Sequence, residues 1–254
     1  MTTRIARTIG PAAALTVAAW GAEAGIEGAY VDYMVGDTTF EGYYARNTDL
    51  EEARGTVLII HDWNGMTDYE ERRAEMLAAE GYAAFALDVY GKDTDPQSVD
   101  EYRALSGAMY GDRETFRARL QAGLEAARAQ PGASEAVVVM GYCFGGAGTL
   151  EMARAGADAV GFVSFHGGLG TPEGQGYEGQ DAPVLLLHGS ADPVSGMADL
   201  AALLDELQAA GVPHEARVFG GARHSFTVWG SNDYDVEADR GSWEALGTFL
   251  DARF

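Results

Sequence analysis

The chain has 254 residues, with 39 Asp and Glu against 17 Lys and Arg, a formal charge of −22 and a pI near 4.4. That balance argues against nucleic acid and anionic membrane surfaces as partners, since both are held by clustered Lys and Arg. With 47% hydrophobic and 22% charged residues the composition suits one globular domain with a sizeable core, and the single cysteine, Cys143, excludes an internal disulfide and a multi-cysteine zinc site.

Lys92 is the only lysine, and a salt-rich habitat and a genome composition favouring Arg and Ala account for this equally well. Arg4 and Arg7 precede an apolar, Ala-rich stretch from Ile9 to Ala22, and Ala22-Glu23-Ala24 offers an Ala-x-Ala site. Residues 1–24 are therefore expected to be a signal peptide of an exported, periplasmic protein, or else the N-terminal arm of a cytoplasmic one. No apolar run reaches the roughly 18–20 residues that a bilayer span needs.

Ala29 to Ala45 has the pattern strand, Gly36-Asp37 turn, strand. Thr56 to His61 is a β-branched run, as expected of a parallel strand covered on both faces. A helix is predicted over Asp68–Glu80, with Asp68 as N-cap and Gly81 just beyond its end. The alternation continues with a strand at Ala83–Leu87, a long helical region over Ser98–Ala129 and a strand at Ala136–Met140. A helix beginning near Cys143, a strand at Val160–Phe165 and a glycine-rich loop from Gly167 to Gly179 come next. A strand at Val184–Leu187, a helix at Met197–Ala210, a strand at Glu215–Phe219 and a helix from about Arg240 complete the chain. This order predicts an α/β fold: a mostly parallel, doubly wound sheet preceded by an antiparallel hairpin, in one domain over residues 28–254.

The chemistry concentrates at Gly141-Tyr142-Cys143-Phe144-Gly145-Gly146, between a strand and a helix. A nucleophile elbow forces its central residue into a strained turn, so its neighbours two before and two or three after must be nearly free of side chain. Gly141, Gly145 and Gly146 meet that demand. Cys143 would then sit at a helix N-terminus, where the dipole favours a thiolate and an oxyanion. Asp192 lies just past the strand ending at Leu187, and His224 lies in the loop after the next strand. The order nucleophile, acid, base is that of an acyl-transfer triad, with His224 as proton carrier and Asp192 as its orienting carboxylate. Ser164 and Ser190 lack the glycine frame of a serine nucleophile. No His-x-x-x-His spacing points to a metal, and no cofactor is expected. Two other readings of the same residues are a thiol redox sensor at Cys143, for which no resolving cysteine exists, and a catalytically silent binding protein.

From Gly28 to the C-terminus the chain resembles the dienelactone hydrolases, cysteine members of the α/β-hydrolase superfamily. The resemblance rests on His61-Asp62-Trp63-Asn64-Gly65, Asp88-Val89-Tyr90-Gly91, the Cys143 elbow, the Asp192 loop and His224-Ser225-Phe226. It implies an α/β-hydrolase fold and a Cys143–His224–Asp192 triad that cleaves a carboxylic ester or lactone through a thioester. It further implies an oxyanion hole from the backbone N–H groups of Trp63 and Phe144, and Asp62 as a carboxylate guarding the resting thiol. The best-known members carry glutamate at that last position. Members that open dienelactones bind the substrate carboxylate with an arginine four residues after the catalytic histidine, where this chain has Val228. With Trp229 beside it, the expected substrate is a small neutral molecule. Tyr90, His166, Phe226, Val228 and Trp229 are expected to line the pocket.

Overall fold

A computed structural model describes residues 25–254; the signal peptide or arm expected over residues 1–24 lies outside them. The hairpin forms from β1 (Ile26–Val35) and β2 (Thr38–Asn47). Gly36 makes its turn at φ +57°, a conformation glycine adopts without a Cβ penalty. The remaining strands are β3 (Thr56–Ile60), β4 (Ala83–Leu87), β5 (Val137–Tyr142), β6 (Gly161–Phe165), β7 (Val184–Gly189) and β8 (His214–Phe219). They form one sheet in the order β1-β2-β4-β3-β5-β6-β7-β8. Pairing is antiparallel for β1 with β2 and β2 with β4, and parallel from β4 onwards. The loops that leave β3, β5, β6, β7 and β8 therefore emerge on one rim, where ligand sites of open α/β sheets lie.

Among the described residues six helices cover the sheet: α1 (Asp68–Ala79), α2 (Val99–Gly111), α3 (Arg113–Arg128), α4 (Phe144–Arg154), α5 (Met197–Ala210) and α6 (Val236–Asp251). The two-residue period of a strand divides the core. Leu58 and Ile60 pack with Leu120 and Leu124 of α3 and Leu150 of α4, whereas Val57 and Ile59 pack with Leu77 of α1 and Leu246 of α6. In the central strands β3 to β7 both faces are dry and the interiors are largely apolar runs, each large aliphatic side chain contributing about 1.5–3 kcal/mol.

Helix ends differ from the expectations wherever a side-chain cap competes with the apolar pattern. Thr67, not Asp68, caps α1: its hydroxyl accepts the N–H of Tyr69, and Glu70 accepts the N–H of Thr67. The long helical region expected over Ser98–Ala129 divides at Asp112, which leaves helical geometry at φ −127° and ψ 83°. The Asp112 carboxylate accepts from the N–H and the hydroxyl of Thr115, starting α3 afresh. Asp235 accepts the N–H groups of Glu237 and Ala238, so α6 begins at Val236 rather than near Arg240. Each such cap is worth about 1 kcal/mol.

Glu151 of α4 is fully buried and paired with Arg113 (3.0 Å) and Arg117 (2.6 Å) of α3 and with Arg154 (2.9 Å) of its own helix. Burial works to raise its carboxyl, but the guanidiniums outweigh it and hold the group below the usual range. Among the described residues no helix is long and apolar enough to cross a membrane.

Candidate active site

β5 passes into α4 through Cys143, whose backbone stands at φ 51° and ψ −107°. A non-glycine residue in that region costs on the order of 1–3 kcal/mol and persists only where the surroundings impose it. Here they do. A Cβ on Gly141 would lie 2.2 Å from the Gly145 carbonyl oxygen, one on Gly145 2.1 Å from that of Ile60, and one on Gly146 2.8 Å from the Cα of Gly167. The three glycines let β3, β5 and the loop after β6 close on the turn, and the turn places the thiol at the N-cap of α4.

The loops after β7 and β8 bring the other two residues to it. His224 Nε2 lies 2.9 Å from Cys143 Sγ, and His224 Nδ1 lies 2.8 Å from Asp192 Oδ2. The other oxygen of Asp192 accepts the N–H groups of Val194 (2.8 Å) and Ser195 (3.1 Å). Burial tends to raise the Asp192 carboxyl, yet its bond to His224 and these two N–H groups hold it below the ordinary value. Asp192 is thus an anion that keeps the proton of His224 on Nδ1 and leaves Nε2 facing the thiol.

On the opposite side stands Asp62, buried just past β3. Its carboxylate accepts the backbone N–H of Trp63, and its charge acts on the thiol of Cys143. The N–H of Phe144 also faces the thiol. Burial, followed by the charge of Asp62, pushes the thiol well above its usual range, so the resting group is a neutral thiol. Burial likewise raises the Asp62 carboxyl. Behind it, Glu70 accepts the Asp62 N–H at 3.2 Å, and burial pushes its carboxyl up to about 7.

Residues 40–254 match the model of the dienelactone hydrolase family. The chain belongs to this family. Membership makes it a hydrolase of the ester and lactone class, acting on small molecules. A Salmonella typhimurium protein named "Putative carboxymethylenebutenolidase" is 26% identical over 215 residues, 80% of this chain and 79% of that one. A dienelactone hydrolase-like promiscuous phosphotriesterase, P91, from metagenomic libraries is 33% identical, with a TM-score of 0.84 over 91% of this chain and 99% of its own. At the level of fold alone, a Pyrococcus horikoshii acylaminoacyl peptidase aligns at 16% identity and TM-score 0.69, over 91% of this chain and 42% of its own.

The expected lining residues of this dienelactone hydrolase family site divide into two groups. Tyr90 belongs to an aromatic wall: its hydroxyl donates to the Trp63 carbonyl (2.9 Å) and its ring lies 5.6 Å from that of Phe144. Tyr110 and Tyr102, which no motif in the sequence marks, extend the wall, at 5.5 Å from Phe144 and 5.6 Å from Trp63 respectively. Beyond it opens a cavity of about 440 Å³ lined by Asn64, Gly65, Tyr90, Lys92, Asp95 and Tyr102 among others. His166 and Phe226, by contrast, are fully buried beneath the elbow and do not reach the mouth. Val228 is half-buried. Trp229 is 38% exposed, and its ring covers the guanidinium of Arg73 at 4.4 Å. Arg73 is itself buried and paired with Asp239, so it offers no free cation beside Val228.

Proposed function

We propose that this chain hydrolyses a small neutral carboxylic ester or lactone through a thioester acyl-enzyme on Cys143. The observation that carries the reading is the unbroken line from Cys143 Sγ through both nitrogens of His224 to Asp192, at 2.9 and 2.8 Å, on a strained elbow. His224 takes the thiol proton as the thiolate attacks the carbonyl carbon. The oxyanion that develops accepts the N–H groups of Phe144 and Trp63, the latter once the substrate has displaced Asp62 from it. His224, as an imidazolium balanced by Asp192, then protonates the departing alkoxide. A water, deprotonated by His224, cleaves the thioester in the second half. Every step uses side chains and backbone N–H groups of the chain itself. A neutral substrate is supported by Val228 where related sites carry an arginine, by the buried pairing of Arg73, and by the charge of −22.

The likeness to P91 at 33% identity over 91% of the chain favours a second reading, in which the thiolate attacks the phosphorus of a neutral phosphotriester. One panel separates the two: p-nitrophenyl carboxylic esters beside a dialkyl p-nitrophenyl phosphate. Wild type is expected to turn over the esters, Cys143→Ala and His224→Ala to be inactive, and Asp192→Asn to lose roughly 10³–10⁴-fold in kcat through loss of the tautomer. Ester hydrolysis that survives both alanine substitutions would overturn the triad. Faster turnover of the phosphate than of every ester would favour the second reading.

A further inference from the structure

His166 follows β6 and takes no part in the chemistry just described, yet it is among the most constrained residues of the site. It is fully buried and stands at φ +39°, in the left-handed region. Its Nδ1 lies 3.2 Å from the backbone nitrogen of Cys143, whose N–H it shares with the Phe165 carbonyl at 3.0 Å. Its Nε2 lies 2.8 Å from the hydroxyl oxygen of Thr227, which lies 2.8 Å from the hydroxyl of Tyr69. A backbone N–H can only donate, so Nδ1 is the bare nitrogen, and Nε2 carries the proton and donates it to Thr227.

These bonds join three segments. Cys143 is the elbow, Thr227 lies three residues beyond His224, and Tyr69 opens the helix that follows the Asp62–Trp63 loop. The Thr227 carbonyl is held in turn by Arg73 at 3.1 Å. Charge on His166 would work against the site, because its ring centroid is 5.5 Å from that of His224, which must become an imidazolium. Burial first, then the charges of His224 and Arg73, press His166 towards its neutral form, with Asp192 pulling the other way. Phe226, edge-on at 5.1 Å, and Tyr142, at 6.0 Å, pack against the same ring.

We propose that His166 is a positioning residue for the thiol–imidazole pair: as the Nε2–H tautomer it ties the N–H of Cys143 to the hydroxyl of Thr227, and so sets the separation of Sγ from His224. The role rests on the triad reading above, but two of its tests need no substrate. In ¹⁵N-histidine-labelled wild type, two-bond ¹H–¹⁵N correlations are expected to show His166 protonated at Nε2 only, from pH 5 to pH 9. Iodoacetamide alkylation of Cys143, followed by mass, is expected to shift its pH midpoint upward by roughly one unit in Thr227→Val and to return in Thr227→Ser. With an ester substrate, Thr227→Val is expected to lower kcat about 10- to 100-fold at unchanged KM, and Thr227→Ser to recover most of it. A proton on Nδ1 of His166, or titration of its ring within that range, overturns the role, and the wild-type spectrum decides this even where Thr227→Val fails to fold. So does Thr227→Val with the alkylation profile and kcat of wild type. A wild type inert to every ester, yet with this tautomer and this alkylation shift, overturns the ester reading and supports the positioning role.

Discussion

Asp62 accepts the N–H of Trp63, and its charge acts on the thiol of Cys143. Removing the carboxylate leaves burial as the main force keeping the thiol protonated, so Asp62→Ala is expected to lower the pH midpoint of iodoacetamide alkylation and to raise its rate at pH 7 about tenfold. Alkylation unchanged by the substitution would take Asp62 out of the resting state. Cys143, Asp192 and His224 were legible in the chain because each carries a local mark: three glycines around a turn, or a place just past a strand in a fixed order. Thr227 and His166 carry no such mark. Their bond spans 61 positions, and nothing near either residue signals that the loops after β6 and β8 meet. His166 could be placed near a strand end from the sequence, but whether such a ring faces the pocket or the underside of the elbow depends on the loop's φ, here +39°.

At the level of elements, α1 couples the Asp62–Trp63 loop to pH. Glu70, in its first turn, accepts the N–H groups of Asp62 and Thr67 while fully buried, and burial carries its carboxyl from 4.5 to about 7. The folded chain thus keeps a proton there that the unfolded chain releases above pH 4.5. The stability this provides is complete below that value and is lost as pH rises through 7, about 3 kcal/mol in all. Denaturant midpoints at pH 5 and pH 8 are expected to fall for wild type and to fall less for Glu70→Gln; equal slopes would remove Glu70 as the cause. The central strands β3, β5 and β7 were readable as apolar runs because both of their faces are dry. The helix boundaries were less so. Asp112 and Asp235 each override the apolar period through a cap, and a sequence contains many aspartates that could do the same.

For the whole molecule, the charge of −22 sets a self-repulsion that added salt screens, whereas buried pairs such as Arg73–Asp239 feel salt little. The melting temperature is expected to rise by about 2–8 °C between low salt and 1 M NaCl, corresponding to roughly 1–2 kcal/mol. A flat or falling curve would assign the arginine-rich, lysine-poor composition to genome bias rather than to a saline habitat. Alkaline solution, by contrast, leaves the Glu151 clamp untouched. Guanidinium keeps its charge at any pH a folded protein meets, and the cations that bind α3 to α4 are all arginines. A base strong enough to ionise the thiol therefore finds the arginine pairs that fasten α3 to α4 still charged.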